Sequence, residues 1–113
     1  METANPLAVL LKNMPRKKDR YTYLKEVVLE FTSGRRTARI SDISAGGCYI
    51  DTIVQVIVGD EVTIHIASTD GSSMPFDGRV AYVLEGFGFG IEFINLTDEH
   101  NKFLEGLVAS VAG

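Results

Sequence analysis

From residue 27 onward the chain alternates apolar and polar positions with a period of two. Val27, Leu29 and Phe31 share one parity, with Glu30 and Thr32 on the other, as expected of a strand with one buried face. Ser33-Gly34 marks a turn. Over 35–41 the alternation resumes, with Ala38 and Ile40 inward and Thr37, Arg39 and Ser41 outward. Ser44 to Gly47 interrupts it with small residues and two glycines, and Cys48 to Thr52 reads as a short strand. Val58-Gly59-Asp60 supplies the next turn signal. The clearest strand follows, where Val62, Ile64 and Ile66 alternate with Glu61, Thr63 and His65. Asp70-Gly71, a favoured hairpin dipeptide, lies in the polar turn after it. Phe76, Gly78, Val80, Tyr82 and Leu84 then share a parity over a long strand, Glu85-Gly86 begins a turn, and Phe89, Ile91 and Phe93 define a sixth strand.

The pattern changes period at the end of the chain. Thr97 is placed to cap a helix over about 97–111, with Asp98 and Glu99 in its first turn, where negative charge suits the helix dipole. Phe103, Leu104, Leu107, Val108 and Val111 form one apolar stripe, suited to lying over an open barrel end. Six short strands at close spacing predict an all-β fold, a small antiparallel barrel or sandwich, with this C-terminal helix. Ahead of the strands, Pro6 to Asn13 reads as a short helix, and Met14 to Tyr21, with Pro15 near its start, as a basic arm or loop. The expected organisation is an N-terminal extension over 1–13 and one barrel domain over 14–113, since 113 residues suffice for a single core.

Charge sharpens this outline. The net charge is −4, yet residues 12–39 hold nine of the eleven cations against three acids, leaving +6 there and −10 elsewhere. A basic segment on an acidic protein suggests a specific anionic ligand. Duplex DNA would favour a domain that is basic overall, so no nucleic acid is expected. Tyr21 and Tyr23 are rings near the arm, but single-strand binders need several exposed rings on one surface, and these two equally suit a barrel edge. No apolar run approaches a membrane span, and the polar, acidic start does not resemble a secretion signal, so a cytoplasmic protein is expected. Cys48 is the only cysteine and reads as a small buried hydrophobe. Cys48, His65 and His100 lack paired metal-ligand spacing, so neither a metal nor a cofactor is predicted. Both histidines read as exposed, and no nucleophile motif points to an enzyme.

Two short motifs carry the candidate chemistry. One is R-x-x-x-R, Arg16 to Arg20; the other is D-x-S-x-x-G, Asp42 to Gly47. Two arginines can clamp phosphates, stack on a purine, or fork onto guanine O6 and N7. A carboxylate accepts from guanine N1–H and the exocyclic amine, a serine hydroxyl donates or accepts, and glycines permit close backbone approach or positive φ. Each motif alone has an ordinary reading: the first as solvated charge, the second as a turn. Together, on one strand framework, they suit a guanine nucleotide better than a plain polyanion.

With these motifs the chain resembles the PilZ family over roughly Arg16 to Val111. Asp42-Ile43-Ser44-Ala45-Gly46-Gly47 before Cys48-Tyr49-Ile50, Val58-Gly59-Asp60-Glu61-Val62, and Gly88-Phe89-Gly90-Ile91-Glu92-Phe93 are similar to its recurrent segments. The resemblance implies a six-stranded antiparallel β-barrel of the PilZ-like split-barrel type with a C-terminal helix. It implies a receptor for the bacterial second messenger cyclic di-GMP, with Arg16 and Arg20 on guanine and phosphates, Asp42 and Ser44 on a guanine edge or the backbone, and Gly47 shaping the loop. Lys17, Gly46 and Tyr21 are supporting candidates. Binding would order the Met14 to Tyr21 arm and alter the surface offered to an unidentified partner protein, in motility or biofilm regulation, from a monomer or a homodimer. The alternatives are a PilZ-fold interaction module that binds no nucleotide, and a small nucleic-acid-binding barrel.

Overall fold

The computed structural model describes residues 20–68 and 70–112, with the side chains of residues 111 and 112 left out of account. Six strands form a closed barrel: β1 (Tyr21–Phe31), β2 (Gly34–Ile43), β3 (Gly47–Asp51), β4 (Glu61–Ala67), β5 (Ser73–Leu84) and β6 (Gly88–Ile94). The order around the barrel is β1-β2-β3-β6-β5-β4, closed by β4 against β1, and every neighbouring pair is antiparallel. The predicted antiparallel barrel is therefore present, and closure leaves no edge strand unpaired. The helix α1 (Asp98–Ala112) follows β6. The predicted Pro6–Asn13 helix and most of the 14–21 arm lie outside the described residues.

The inner face is the one the alternation predicts. Val27 and Leu29 of β1, Ile40 and Ile43 of β2, Cys48 and Ile50 of β3, Val62, Ile64 and Ile66 of β4, Phe76 and Val80 of β5, and Phe89, Ile91 and Phe93 of β6 form one core. Leu104 and Leu107 of α1 join it. Cys48 is buried there, and burial pushes its thiol well above the ordinary range.

Three bulges break the period of two. Ser41 is the extra residue where β2 meets β3, because Ile40 opposes Ile50 while Asp42 opposes Tyr49. The β1–β2 register shifts between Thr22 and Lys25. Ala81 is the extra residue of β5, because Val80 opposes Ile91 while Tyr82 opposes Gly90. The last bulge corrects the single parity expected over Phe76–Leu84. Phe76, Gly78 and Val80 keep the inner face, and Tyr82 and Leu84 pass to the outer face opposite Gly90 and Gly88. An extra residue reverses which face the following side chains take.

The helix start follows its capping chemistry. Thr97 Oγ1 accepts the backbone N–H of His100 at 3.2 Å. His100 is not the exposed residue expected from sequence. Its Nδ1 accepts the Thr97 N–H at 3.1 Å, its Nε2 lies 2.9 Å from the Pro75 carbonyl, and its ring packs on Phe76 with centroids 4.7 Å apart. His65 also departs from expectation. It is half-buried and bonds Glu30 across the β1–β4 seam at 2.9 Å. In both cases a histidine finds partners from a strand distant in sequence.

Candidate functional site

The D-x-S-x-x-G segment is the connection from β2 to β3, and its local chemistry builds a tight turn. The Ser44 N–H donates to the Gly47 carbonyl at 2.9 Å. The Ser44 hydroxyl accepts the Gly46 N–H at 3.1 Å and donates to the Gly47 carbonyl at 3.4 Å. This is the usual way a serine stabilises a turn. Ser44 is buried, so its hydroxyl holds the backbone that presents Asp42, and Gly46 is exposed at the tip. The Gly46 carbonyl accepts the Phe93 N–H at 3.0 Å, tying the turn to β6.

Gly47 does not use a positive φ. Its backbone instead presses against β6, where any Cβ would run into the carbonyl oxygen of Ile91. The glycine is required by close strand approach, and so it shapes the loop from its downstream side.

Asp42 leaves this turn on the outer face, reoriented by the Ser41 bulge. Its Oδ1 lies 3.6 Å from an Arg20 terminal nitrogen, and the two side chains are only 17% and 15% exposed. At that separation the contact is an ion pair and not a hydrogen bond. Among the described residues, buried Oδ1 has no hydrogen-bond partner. Burial raises the Asp42 carboxyl above its ordinary value, and the Arg20 charge offsets only part of that rise. The arrangement is thus a half-desolvated acceptor beside a guanidinium.

Of the sequence candidates, Arg20, Asp42, Ser44, Gly46 and Gly47 fall together around this turn. Tyr21 opens β1 opposite Ile43, half-buried at the margin. Arg16 and Lys17 lie outside the described residues. Two other cations of the basic segment have ordinary surface partners: Arg39 faces Asp51 at 3.6 Å and Arg35 faces Glu30 at 3.7 Å. Tyr23 is no stacking platform, being buried with its hydroxyl donating to the Ala67 carbonyl at 3.0 Å.

Two residues that the motifs do not include also belong to this face. Asp42 opposes Tyr49, Tyr49 opposes Gly90, and Gly90 opposes Tyr82, making one rung across β2, β3, β6 and β5. Tyr82 lies over Gly90 and stacks on Tyr49 with centroids 6.2 Å apart and planes 22° apart. Tyr49 is therefore only 2% exposed although it faces outward. The signal available in the sequence was Gly88-Phe89-Gly90, two glycines on one face of a strand, which mark space for larger neighbours. Among the described residues no group of acids, histidines and cysteine could hold a metal ion, and no helix is long and apolar enough to cross a membrane.

The comparisons with known proteins agree with this geometry. The family model for the PilZ domain matches residues 15–110. No curated protein sequence matches the chain. Among solved structures, the PilZ domain of YcgR from Escherichia coli with c-di-GMP is similar at 16% identity and a TM-score of 0.71, covering 88% of this chain and 92% of that one. The PilZ domain of CeSA from a cellulose-synthesizing bacterium is similar at 18% identity and a TM-score of 0.67, covering 84% and 99%. The PlzA protein of Borreliella burgdorferi in complex with c-di-GMP is similar at 16% identity and a TM-score of 0.64; 89% of this chain is covered but only 44% of PlzA. At these identities the solved structures speak for the fold, and the family match, running from the basic segment through the barrel into the helix, completes the case: the chain belongs to the PilZ domain family.

Proposed function

We propose that this chain is a receptor for cyclic di-GMP, which it binds through Arg16, Arg20, Asp42, Ser44 and Gly47. The observation that carries the reading is Asp42 Oδ1, buried beside the Arg20 guanidinium and lacking a hydrogen-bond donor among the described residues. Guanine presents two adjacent donors, N1–H and the exocyclic amine, to such a carboxylate, while the arginine fork suits phosphate oxygens or the O6/N7 edge. Ser44 and Gly47 act through the turn that sets Asp42 in place, Gly46 and Tyr21 lie at its margin, and Lys17 adds positive charge that steers the anionic ligand. Two of the similar structures, PlzA and the PilZ domain of YcgR, hold c-di-GMP, which agrees with this ligand class. PilZ domains are receptors and not enzymes. Binding, in the cytoplasm, changes the surface that the chain offers to an unidentified partner protein.

Calorimetric titration with cyclic di-GMP tests the proposal, with cyclic di-AMP as the comparison. Cyclic di-GMP binds, and cyclic di-AMP, whose bases lack both donors toward Asp42, binds far more weakly. Arg20→Ala weakens cyclic di-GMP binding by at least ~2 kcal/mol, the scale of a lost hydrogen bond to a charged group. Absence of heat and of any rise in melting temperature with the wild-type chain would overturn the reading.

A further inference from the structure

We propose that the loop between β3 and β4, together with the β5–β6 turn, is a docking surface for a basic amphipathic helix of a partner protein. The surface lies outside the Asp42 turn, and docking on it does not depend on the nucleotide.

Among the described residues six large apolar side chains are exposed, and five of them, Ile53, Ile57, Val58, Val83 and Phe87, fall in these two segments. Single apolar residues scattered over a surface are ordinary, whereas a concentration of them marks an interaction site. Ile53 is 85% exposed and Phe87 63%. The two segments are joined. The Thr52 N–H donates to the Phe87 carbonyl at 3.1 Å, and a shallow groove lined by Val54, Val56, Val83 and Glu85 runs between them. At its other end the loop is tied to β5: the Gly59 N–H donates to the Val80 carbonyl and the Val80 N–H to the Asp60 carbonyl, both at 2.8 Å. Asp60 Oδ2 accepts the Ile57 N–H at 3.0 Å, closing the turn that carries Val58. The loop is thus held in place before a partner arrives, and docking loses little entropy in ordering it. Between these ties burial alternates, with Val54 and Val56 half-buried and Ile53, Gln55 and Ile57 exposed. That is the period of an extended segment, and it sets Ile53 and Ile57 on one face about 13 Å apart. A helix covers that span in about nine residues, so apolar side chains over two to three turns meet both ends of the row.

Charge selects the partner. Residues 51–61 and 83–88 hold Asp51, Asp60, Glu61 and Glu85 and no cation. Asp51 is paired with Arg39, and Glu61 lies opposite Arg79 in the β4–β5 register. Glu85 is exposed beside the groove and has no ion pair among the described residues. A second copy of the chain would set this negative patch against its equal, and an anionic lipid surface would be repelled by it. A helix with lysine or arginine beside its apolar stripe complements both the charge and the row of aliphatic side chains.

The test titrates the full chain, without nucleotide, with a synthetic amphipathic peptide that carries leucines at i, i+3, i+4 and i+7 and lysines elsewhere. Amide resonances of the chain report the binding, and a counterpart peptide has glutamate in place of lysine. The lysine peptide shifts the resonances of residues 52–58 and 83–88 most, its affinity falls with added salt, and the glutamate peptide binds at least about 10-fold more weakly. Ile57→Ser and Phe87→Ser each weaken the lysine peptide by about 10-fold or more, the scale of one lost apolar anchor. Glu85→Lys weakens it severalfold and flattens the salt dependence. Leu24→Ser, an exposed leucine of β1 outside both segments, leaves the affinity unchanged. All four side chains are exposed, so the variants melt like wild type, and thermal unfolding checks this. Absence of shifts, shifts centred elsewhere, equal binding of the two peptides, or no effect of Ile57→Ser and Phe87→Ser overturns the inference. Sedimentation showing a dimer that Ile57→Ser and Phe87→Ser dissociate makes a second copy the occupant and overturns it as well. So do Leu10→Ser and Leu11→Ser if they shift the 52–58 resonances with no peptide added, because the occupant is then the chain's own N-terminal segment. None of these outcomes bears on the cyclic di-GMP reading, which stands or falls on the nucleotide titration.

Discussion

Asp42 illustrates how one residue can be set against folding, as its proposed binding role requires. Folding removes most of its carboxylate from water and supplies one cation at 3.6 Å in return. Its folded pKa is raised, so protonation favours the ligand-free fold. The sign follows from linkage: this contribution is present in full below the unfolded pKa and is lost as pH rises through the folded one. A guanine edge donating to the carboxylate stabilises the ionised form and lowers its pKa again. Affinity for cyclic di-GMP should therefore fall as pH drops through the free-state pKa of Asp42, with proton release on binding near that pH. Titrations over a pH series, in buffers of different ionisation enthalpy, measure both. Asp42→Asn should flatten the pH dependence and weaken binding. Tyr49 carries a second unsatisfied polar atom. Its hydroxyl is buried with no hydrogen-bond partner among the described residues, and burial pushes the phenol up to about 12. Tyr49→Phe removes that atom and keeps the ring under Tyr82, so denaturant unfolding should show stability unchanged or increased, by up to about 1 kcal/mol.

At the scale of elements, the site is made by irregularities in regular strands. The bulges at Ser41 and Ala81 bring Asp42 and Tyr82 to one outer face, where the inner-face alternation alone would not put them. Gly47 lets β3 close on β6, and Gly90 leaves room above it for the ring. Gly47→Ala should destabilise by about 1–3 kcal/mol or more, since the added carbon meets backbone on a paired strand and not a movable side chain. Urea unfolding gives that number. Proton spectra should show the β3–β6 amide resonances shifted most. Much of this element scale was legible beforehand. The six strands, their turns and the capped helix follow from period and punctuation, and the D-x-S-x-x-G segment is the turn its residue types predict. The bulges were not legible. Ser41 and Ala81 are ordinary strand residues, and their extra positions exist only because neighbouring strands pair on both sides of them.

Over the whole molecule, the helix and the barrel share one core. Phe76 sits at their junction, fully buried, with ring centroids 5.0 Å from Phe93, 5.7 Å from Phe103 and 4.7 Å from His100. Phe76→Ala should cost about 3–5 kcal/mol, the range for emptying a buried phenylalanine site. It should loosen α1 as well as the barrel, and faster hydrogen exchange over residues 98–110 than over β3 would report that. What the sequence by itself determined is the set of local choices: which residues face inward, where the chain turns, where the helix begins, and which two motifs hold the polar chemistry. Those choices depend on neighbours within a few residues, so they can be read along the chain. Tertiary structure alone decided the partners. His100 is held by Pro75 and Phe76, and His65 by Glu30. Tyr82 reaches the Asp42 rung over Gly90 because barrel closure places β5, β6, β3 and β2 side by side. Register between strands distant in sequence is set by packing the whole core at once, and no local pattern encodes it.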